Sequence, residues 1–129
     1  MIVLDTHAWV WLLVAPKRIS KAAREAIEQA PRLGVSTISA WEVATLNRRG
    51  RIDLDCDAGQ WVAEAFAAPR IEALPPSPQA AAAAGLLDDR AFPNDPADRL
   101  IYATARTLGA TLITRDAAIR AYDPAATLW

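Results

Sequence analysis

Two short apolar runs in this chain each lead into an acidic side chain. Ile2-Val3-Leu4 runs into Asp5, and Leu112-Ile113 continues through Thr114 and Arg115 into Asp116. Runs this short, rich in β-branched and aliphatic residues and bounded by polar ones, read as strands covered on both faces. A carboxylate at the end of such a strand is costly to bury without a partner. Two strands that finish this way predict one shared acidic site at one edge of a sheet.

The segments between them alternate between strand and helix patterns, which predicts an α/β domain with a mostly parallel sheet. After the first strand, "HAWVWLL" reads as a short helix. "ISKAAREAIEQA" follows, with Ser20 as N-cap and Ala23, Ile27 and Ala30 on one face, and Pro31 stops it. "LGVS" is a buried strand, and "ISAWEVATLNRRG" is a helix closed by Gly50. "DAGQWVAEAFAA" is a helix with Asp57 as cap and Gln60 in capping-box position, and "RIEAL" is a strand. "PPSPQAAAAAGLL" starts a helix with Ser77 as cap and Pro78 in its first position. "ADRLIYATARTLG" is a further helix, followed by the strand "ATLIT", the short helix "DAAIRAY" and a closing "ATLW". No repeat and no long linker divides residues 1–129, so a single domain is expected.

In an open parallel sheet the ligand crevice lies beyond the carboxyl ends of the strands, where the following helices begin. Asp5 and Asp116 finish strands, while Glu42, Asp95 and Asp98 lie in the first turns of helices that start at that edge. Each has a plainer role open to it. Ser39-Ala40-Trp41-Glu42 fits a capping box with Ile38 and Val43 as hydrophobic staple, and Asp95-Pro96 fits an N-cap with proline behind it. Asp98 suits a helix dipole, and Asp5 and Asp116 can each cap the helix that follows.

Their coincidence favours chemistry over capping. Two carboxylates about 4 Å apart repel by roughly 4 kcal/mol at an effective dielectric of 20. A divalent cation removes that cost. Oxygen-only donors suit Mg²⁺ or Mn²⁺, whereas zinc prefers nitrogen and sulfur, and the chain has one histidine (His7) and one cysteine (Cys56). A hard cation in a carboxylate cup neutralises phosphate, orients water and makes it a better nucleophile, the equipment of phosphoryl chemistry.

Composition narrows the partners. A formal charge of −1 argues against coating nucleic acid through a global positive field. Twelve of the basic residues are nevertheless arginines, with Arg48, Arg49 and Arg51 clustered in "NRRGR", so either a local phosphate-facing patch or a solvated helix end is open. No window carries the uninterrupted apolar run of a membrane span, Asp5 sits where a signal peptide needs basic then apolar residues, and the lone cysteine suits a reducing compartment. The expected location is the cytoplasm, with no membrane association.

Taken in order, "LDTHAWVWLL", "ISKAAREAI", "VSTISAWEVATLNRRGRI", "NDPADRLIYATA", "LITRDAAIRAY" and "TLW" resemble PIN-domain proteins, specifically the VapC-type ribonuclease toxins of toxin–antitoxin pairs. The resemblance covers nearly the whole chain. It implies a three-layer α/β/α sandwich and an acidic site holding Mg²⁺ or Mn²⁺. Asp5 and Asp98 match the chief metal ligands, Asp116 binds metal directly or through water, and Glu42 orients or deprotonates the attacking water. Asp95 is an auxiliary candidate, and Thr6 and Thr114 are candidates to hydrogen-bond carboxylates or phosphate, against a plain β-propensity role for Thr114. The implied activity is endonucleolytic hydrolysis of RNA, and the implied partners are a cognate antitoxin and a second copy of the chain. Some of Trp9, Trp11, Trp41, Trp61 and Trp129 then suit an interface, against ordinary core packing. A receiver domain fits less well, because its chemistry wants a lysine near the last strand and both lysines precede residue 22. The remaining alternative is a PIN-like interaction module without catalysis.

Overall fold

Val3 and Leu4 are adjacent and both fully buried, yet they belong to different cores. Alternation along a strand sends successive side chains to opposite faces, so a strand with no exposed residue demands cover on both sides. The computed structural model describes residues 1–129 and shows how that cover is built.

Five strands form one sheet: β1 (Ile2–Leu4), β2 (Leu33–Ser36), β3 (Ile71–Leu74), β4 (Leu112–Ile113) and β5 (Thr127–Leu128). Their order is β3-β2-β1-β4-β5 and every pairing is parallel, with Leu4 opposite Val35 on one side and Ile113 on the other. The seven α-helices are α1 (Thr6–Val14), α2 (Lys21–Gln29), α3 (Ile38–Arg48), α4 (Ala58–Phe66), α5 (Pro78–Gly85), α6 (Pro96–Thr107) and α7 (Ala117–Tyr122). One core gathers Leu4, Leu33, Val35 and Ile113 against Trp9, Ile27 and Ala65. The other gathers Val3, Leu74 and Leu112 against Ile101, Tyr102 and Ile119. Helices therefore cover both faces, giving the three-layer α/β/α arrangement, with a sheet that is parallel throughout. None of the helices is long and apolar enough to cross a membrane.

Local chemistry explains the element ends. Ser20, Asp57, Ser77, Asp95 and Asp116 each accept a first-turn N–H from their helix. Gly50 follows α3 at φ +70°, and Arg51 N–H donates to Leu46 O at 2.8 Å, the pattern of a glycine-closed helix. A Cβ on Gly34 of β2 would lie 2.5 Å from Leu74 Cδ1, so glycine lets β3's leucine cover the sheet there.

The Ser39–Glu42 capping box does not form. Helix α3 starts at Ile38 and is preceded by Thr37, with no side-chain cap. Ser39 lies inside the helix, fully buried, and its hydroxyl turns to Thr6 on α1 instead. The box at α4 is half made: Asp57 accepts from Gln60 N–H at 3.2 Å, while the Gln60 amide donates to Glu64 rather than back to the cap.

Candidate active site

Because all strands run the same way, their carboxyl ends share one rim, and the starts of α1, α3, α6 and α7 meet there. Asp5 stands at the end of β1 and also caps α1, accepting from Thr6 N–H at 2.8 Å through Oδ1. Its second oxygen accepts from the Thr114 hydroxyl at 2.6 Å, and Thr114 Oγ1 in turn accepts from Asp116 N–H at 3.1 Å. Residues more than a hundred positions apart are thereby tied into one line. A matching line runs across α1 and α3: the Ser39 hydroxyl donates to Thr6 Oγ1 at 2.8 Å, and Thr6 donates to Glu42 Oε1 at 2.5 Å.

These two lines hold Asp5 and Glu42 beside Asp98, which lies in the first turn of α6. One carboxylate oxygen from each of the three lies within 4.8 Å of the others. No arginine or lysine is ion-paired to any of them. The electrostatic consequence is a shared reluctance to ionise. Asp98 is pushed from 3.8 up to about 8, first by burial and then by Asp5, Asp95, Glu42 and Asp116. Burial raises Asp5 as well, opposed by its hydrogen bonds from Thr114 and Thr6. Burial and the charges of Asp5 and Asp95 likewise raise Glu42, with the Thr6 bond opposing.

Three convergent carboxylates, all displaced upward and lacking a cationic partner, form a donor set for a hard divalent cation such as Mg²⁺ or Mn²⁺. Zinc is a poor fit, since His7 and Cys56 do not join the group. The acids line a cleft of about 660 Å³ together with Asp95, Asp116, His7, Trp11, Arg18, Arg51 and Arg115. Asp95 caps α6 by accepting from the N–H groups of Ala97 and Asp98, at 2.8 and 3.2 Å. Asp116 is also on the cleft wall, where one of its oxygens accepts from Ile119 N–H at 2.9 Å, and it is not among the three acids that converge. The residues brought closest are thus Asp5, Glu42 and Asp98, three of the four acids expected at the site, with Asp116 on the wall of the same cleft.

A family model described as the PIN domain matches residues 2–124. The chain belongs to the PIN-domain family. Ribonuclease VapC22 of Mycobacterium tuberculosis is 40% identical to it over 121 residues, covering 94% of this chain and 91% of that protein. The fold is shared with a toxin–antitoxin complex from Klebsiella pneumoniae at a TM-score of 0.71 and 20% identity, over 100% of this chain and 97% of the other. It is shared equally with VapBC2 from Rickettsia felis bound to a DNA fragment of its promoter, at TM-score 0.72 and 18% identity, over 99% and 98%.

Two functional-looking residues of this PIN domain are not visible in local sequence pattern. Arg18 lies on a 3₁₀ turn (Pro16–Arg18) that no apolar pattern announces. Arg115 lies between Thr114 and Asp116, and its place between two rim residues is the one available signal. The tryptophans divide: Trp9 and Trp11 are buried, Trp61 and Trp129 pack against the same core, and Trp41 is 61% exposed on α3.

Proposed function

We propose that this PIN-domain protein is a metal-dependent endoribonuclease acting as the toxin of a toxin–antitoxin pair in the cytoplasm. The observation that carries the reading is the convergence of Asp5, Glu42 and Asp98 on one point, without a basic residue to neutralise them. Likeness to a VapC ribonuclease and the shared fold with toxin–antitoxin complexes support it.

Asp5 and Asp98 would hold Mg²⁺ or Mn²⁺, and a Glu42 carboxylate oxygen lies within 4.8 Å of theirs. When bound, the cation supplies charge neutralisation for the phosphate and acidifies coordinated water. The chain's own residues do the positioning. The Thr114 hydroxyl and the Thr6 N–H fix the Asp5 carboxylate in direction and favour its ionised form against the larger opposing effect of burial. The Ser39–Thr6 hydroxyl pair occupies Glu42 Oε1. Its other oxygen then orients the attacking water or takes its proton. Asp116, held by α7, adds negative charge at the wall and would bind the metal directly or through water. RNA is the substrate, and a cognate antitoxin and a second copy of the chain are the protein partners. Exposed Trp41 suits such a surface.

The test uses the purified chain without a partner. Cleavage of RNA is compared in Mg²⁺, in Mn²⁺ and in chelator, alongside Asp5→Asn and Asp98→Asn. Metal-dependent cutting that both substitutions reduce by orders of magnitude supports the reading. Equal cutting by wild type and Asp5→Asn overturns it, since a contaminating nuclease would then be the source.

A further inference from the structure

The arginines of this chain fall into two sets. Arg24, Arg70, Arg99 and Arg120 donate to main-chain carbonyls, and Arg32 and Arg106 pair with carboxylates. The side chains of Arg18, Arg48, Arg49, Arg51, Arg90 and Arg115 make no hydrogen bond or ion pair, and three of these, Arg18, Arg51 and Arg115, line the acidic cleft. Guanidinium groups beside five carboxylates that pair with none of them are not there to neutralise acid.

Two of the three are held by something else. The guanidinium carbon of Arg18 lies 4.4 Å from the centre of the Trp11 ring, and that of Arg115 lies 5.4 Å from it. Stacking on an aromatic face orients the planar fork while leaving its N–H donors free. Trp11 is itself anchored, 8% exposed and packed against Trp129 with ring centres 5.8 Å apart. Its ring is too covered to stack a nucleobase, so its role is to carry the arginines. Arg115 is further fixed through its carbonyl, which accepts from Arg120 Nη2 at 3.3 Å.

We propose that Arg18 and Arg115, mounted on Trp11, form a subsite for a backbone phosphate of single-stranded RNA next to the scissile one. A fork of fixed N–H donors matches non-bridging phosphate oxygens in a bidentate manner. The acidic triad repels the same strand until a cation is present, so the arginine subsite secures the strand beside the reacting centre. That the neighbouring phosphate is scissile rests on the nuclease reading; the binding of phosphate by the two arginines does not.

Binding and cleavage are therefore measured apart. Binding of a short fluorescent single-stranded RNA is followed by anisotropy with every protein carrying Asp5→Asn and Asp98→Asn, which removes cutting and much of the acid repulsion without need of a cation, and cleavage is followed in Mn²⁺ with both acids intact. Arg18→Gln and Arg115→Gln are each expected to weaken binding about tenfold. The double substitution is expected to flatten the log–log salt dependence by about 0.7, the value for one single-strand phosphate no longer neutralised. In cleavage, half-saturation moves far more than maximal rate. Arg90→Gln, which removes an exposed arginine away from the cleft, leaves affinity and salt slope as they were. Trp11→Phe keeps an aromatic face and most of the affinity, while Trp11→Leu, checked for folding by circular dichroism, loses affinity like an arginine variant. A doubly substituted Arg18→Gln/Arg115→Gln protein with undiminished affinity and salt slope overturns the subsite, whether or not RNA is cut. Absence of RNA binding by the parent protein also overturns it. Arginine-dependent binding without any cleavage sustains the subsite and defeats the nuclease reading alone.

Discussion

Asp98 is the residue whose environment most contradicts its charge. Its raised value of about 8 means the native protein holds a proton there at neutral pH, whereas the unfolded chain, near 3.8, does not. Between those two values the unfolded state binds fewer protons at this site, so stability falls as pH rises through the window and levels off above about 8. Asp5 and Glu42, also raised, push in the same direction. Thermal melts in chelator are expected to show wild type losing stability from pH 5 toward 8, and Asp98→Asn both flattening that slope and melting higher at pH 8. A wild-type profile that rises across this range would contradict the burial of Asp98 among acids. Thr114 works in the opposite sense, since its hydroxyl favours ionised Asp5. Thr114→Val is expected to destabilise by about 1–3 kcal/mol in urea titrations, by leaving the Asp5 oxygen unpaired. It should also move the acid limb of the cleavage profile to higher pH, and Thr114→Ser should restore both.

At the scale of elements, the approach to α6 decides where Asp98 stands. Arg99, almost wholly buried, donates to Pro93 O at 2.9 Å and Leu87 O at 3.0 Å, and its Nη2 reaches Asp89 at 2.7 Å. The loop between α5 and α6 is gathered around this one side chain before Asp95 caps the helix. Arg99→Met would strip those carbonyls of their donor, at a cost of roughly 3 kcal/mol seen as a lower urea midpoint with unchanged slope. Asp95→Ala should cost about 1 kcal/mol through removal of the cap. Caps of this kind were legible in the sequence, because Ser20, Asp57, Ser77 and Asp95 act on N–H groups two or three residues away. Strand ends were legible too, since Asp5 and Asp116 break apolar runs. What local spacing misled was Ser39-x-x-Glu42. Its hydroxyl is claimed by Thr6, 33 residues earlier, and only the parallel packing of β1 beside β2 brings α1 and α3 together to make that bond. Arg99 and the Trp11–Arg18 stack were illegible for the same reason: their partners are chosen by the fold, not by the neighbouring sequence.

The whole molecule offers an internal pair of probes. Trp9 and Trp11 lie in the core on one face of the sheet, with Trp61 and Trp129 packed against it, while Tyr102 lies in the core on the other. Tyr102 also contacts Tyr122, at 5.8 Å between ring centres. If residues 1–129 form one domain, the shared strand β1, with Val3 on one side and Leu4 on the other, must couple the two faces. Tryptophan fluorescence and tyrosine absorbance should then report coincident thermal transitions. The acidic rim belongs to both faces, as α1 and α3 bring Asp5 and Glu42 while α6 brings Asp98. A cation that binds there only in the native state stabilises by RT ln(1 + [L]/Kd), about 2.7 kcal/mol at a hundredfold excess over Kd. Millimolar Mn²⁺ should therefore raise both transitions by the same amount. The rise should be larger at pH 8 than at pH 6, because binding must displace the proton held by Asp98. Asp98→Asn should abolish most of the shift. A Mn²⁺ effect seen by tryptophan but not by tyrosine would mean the two cores unfold separately, and no shift by either would deny the carboxylates a common ion.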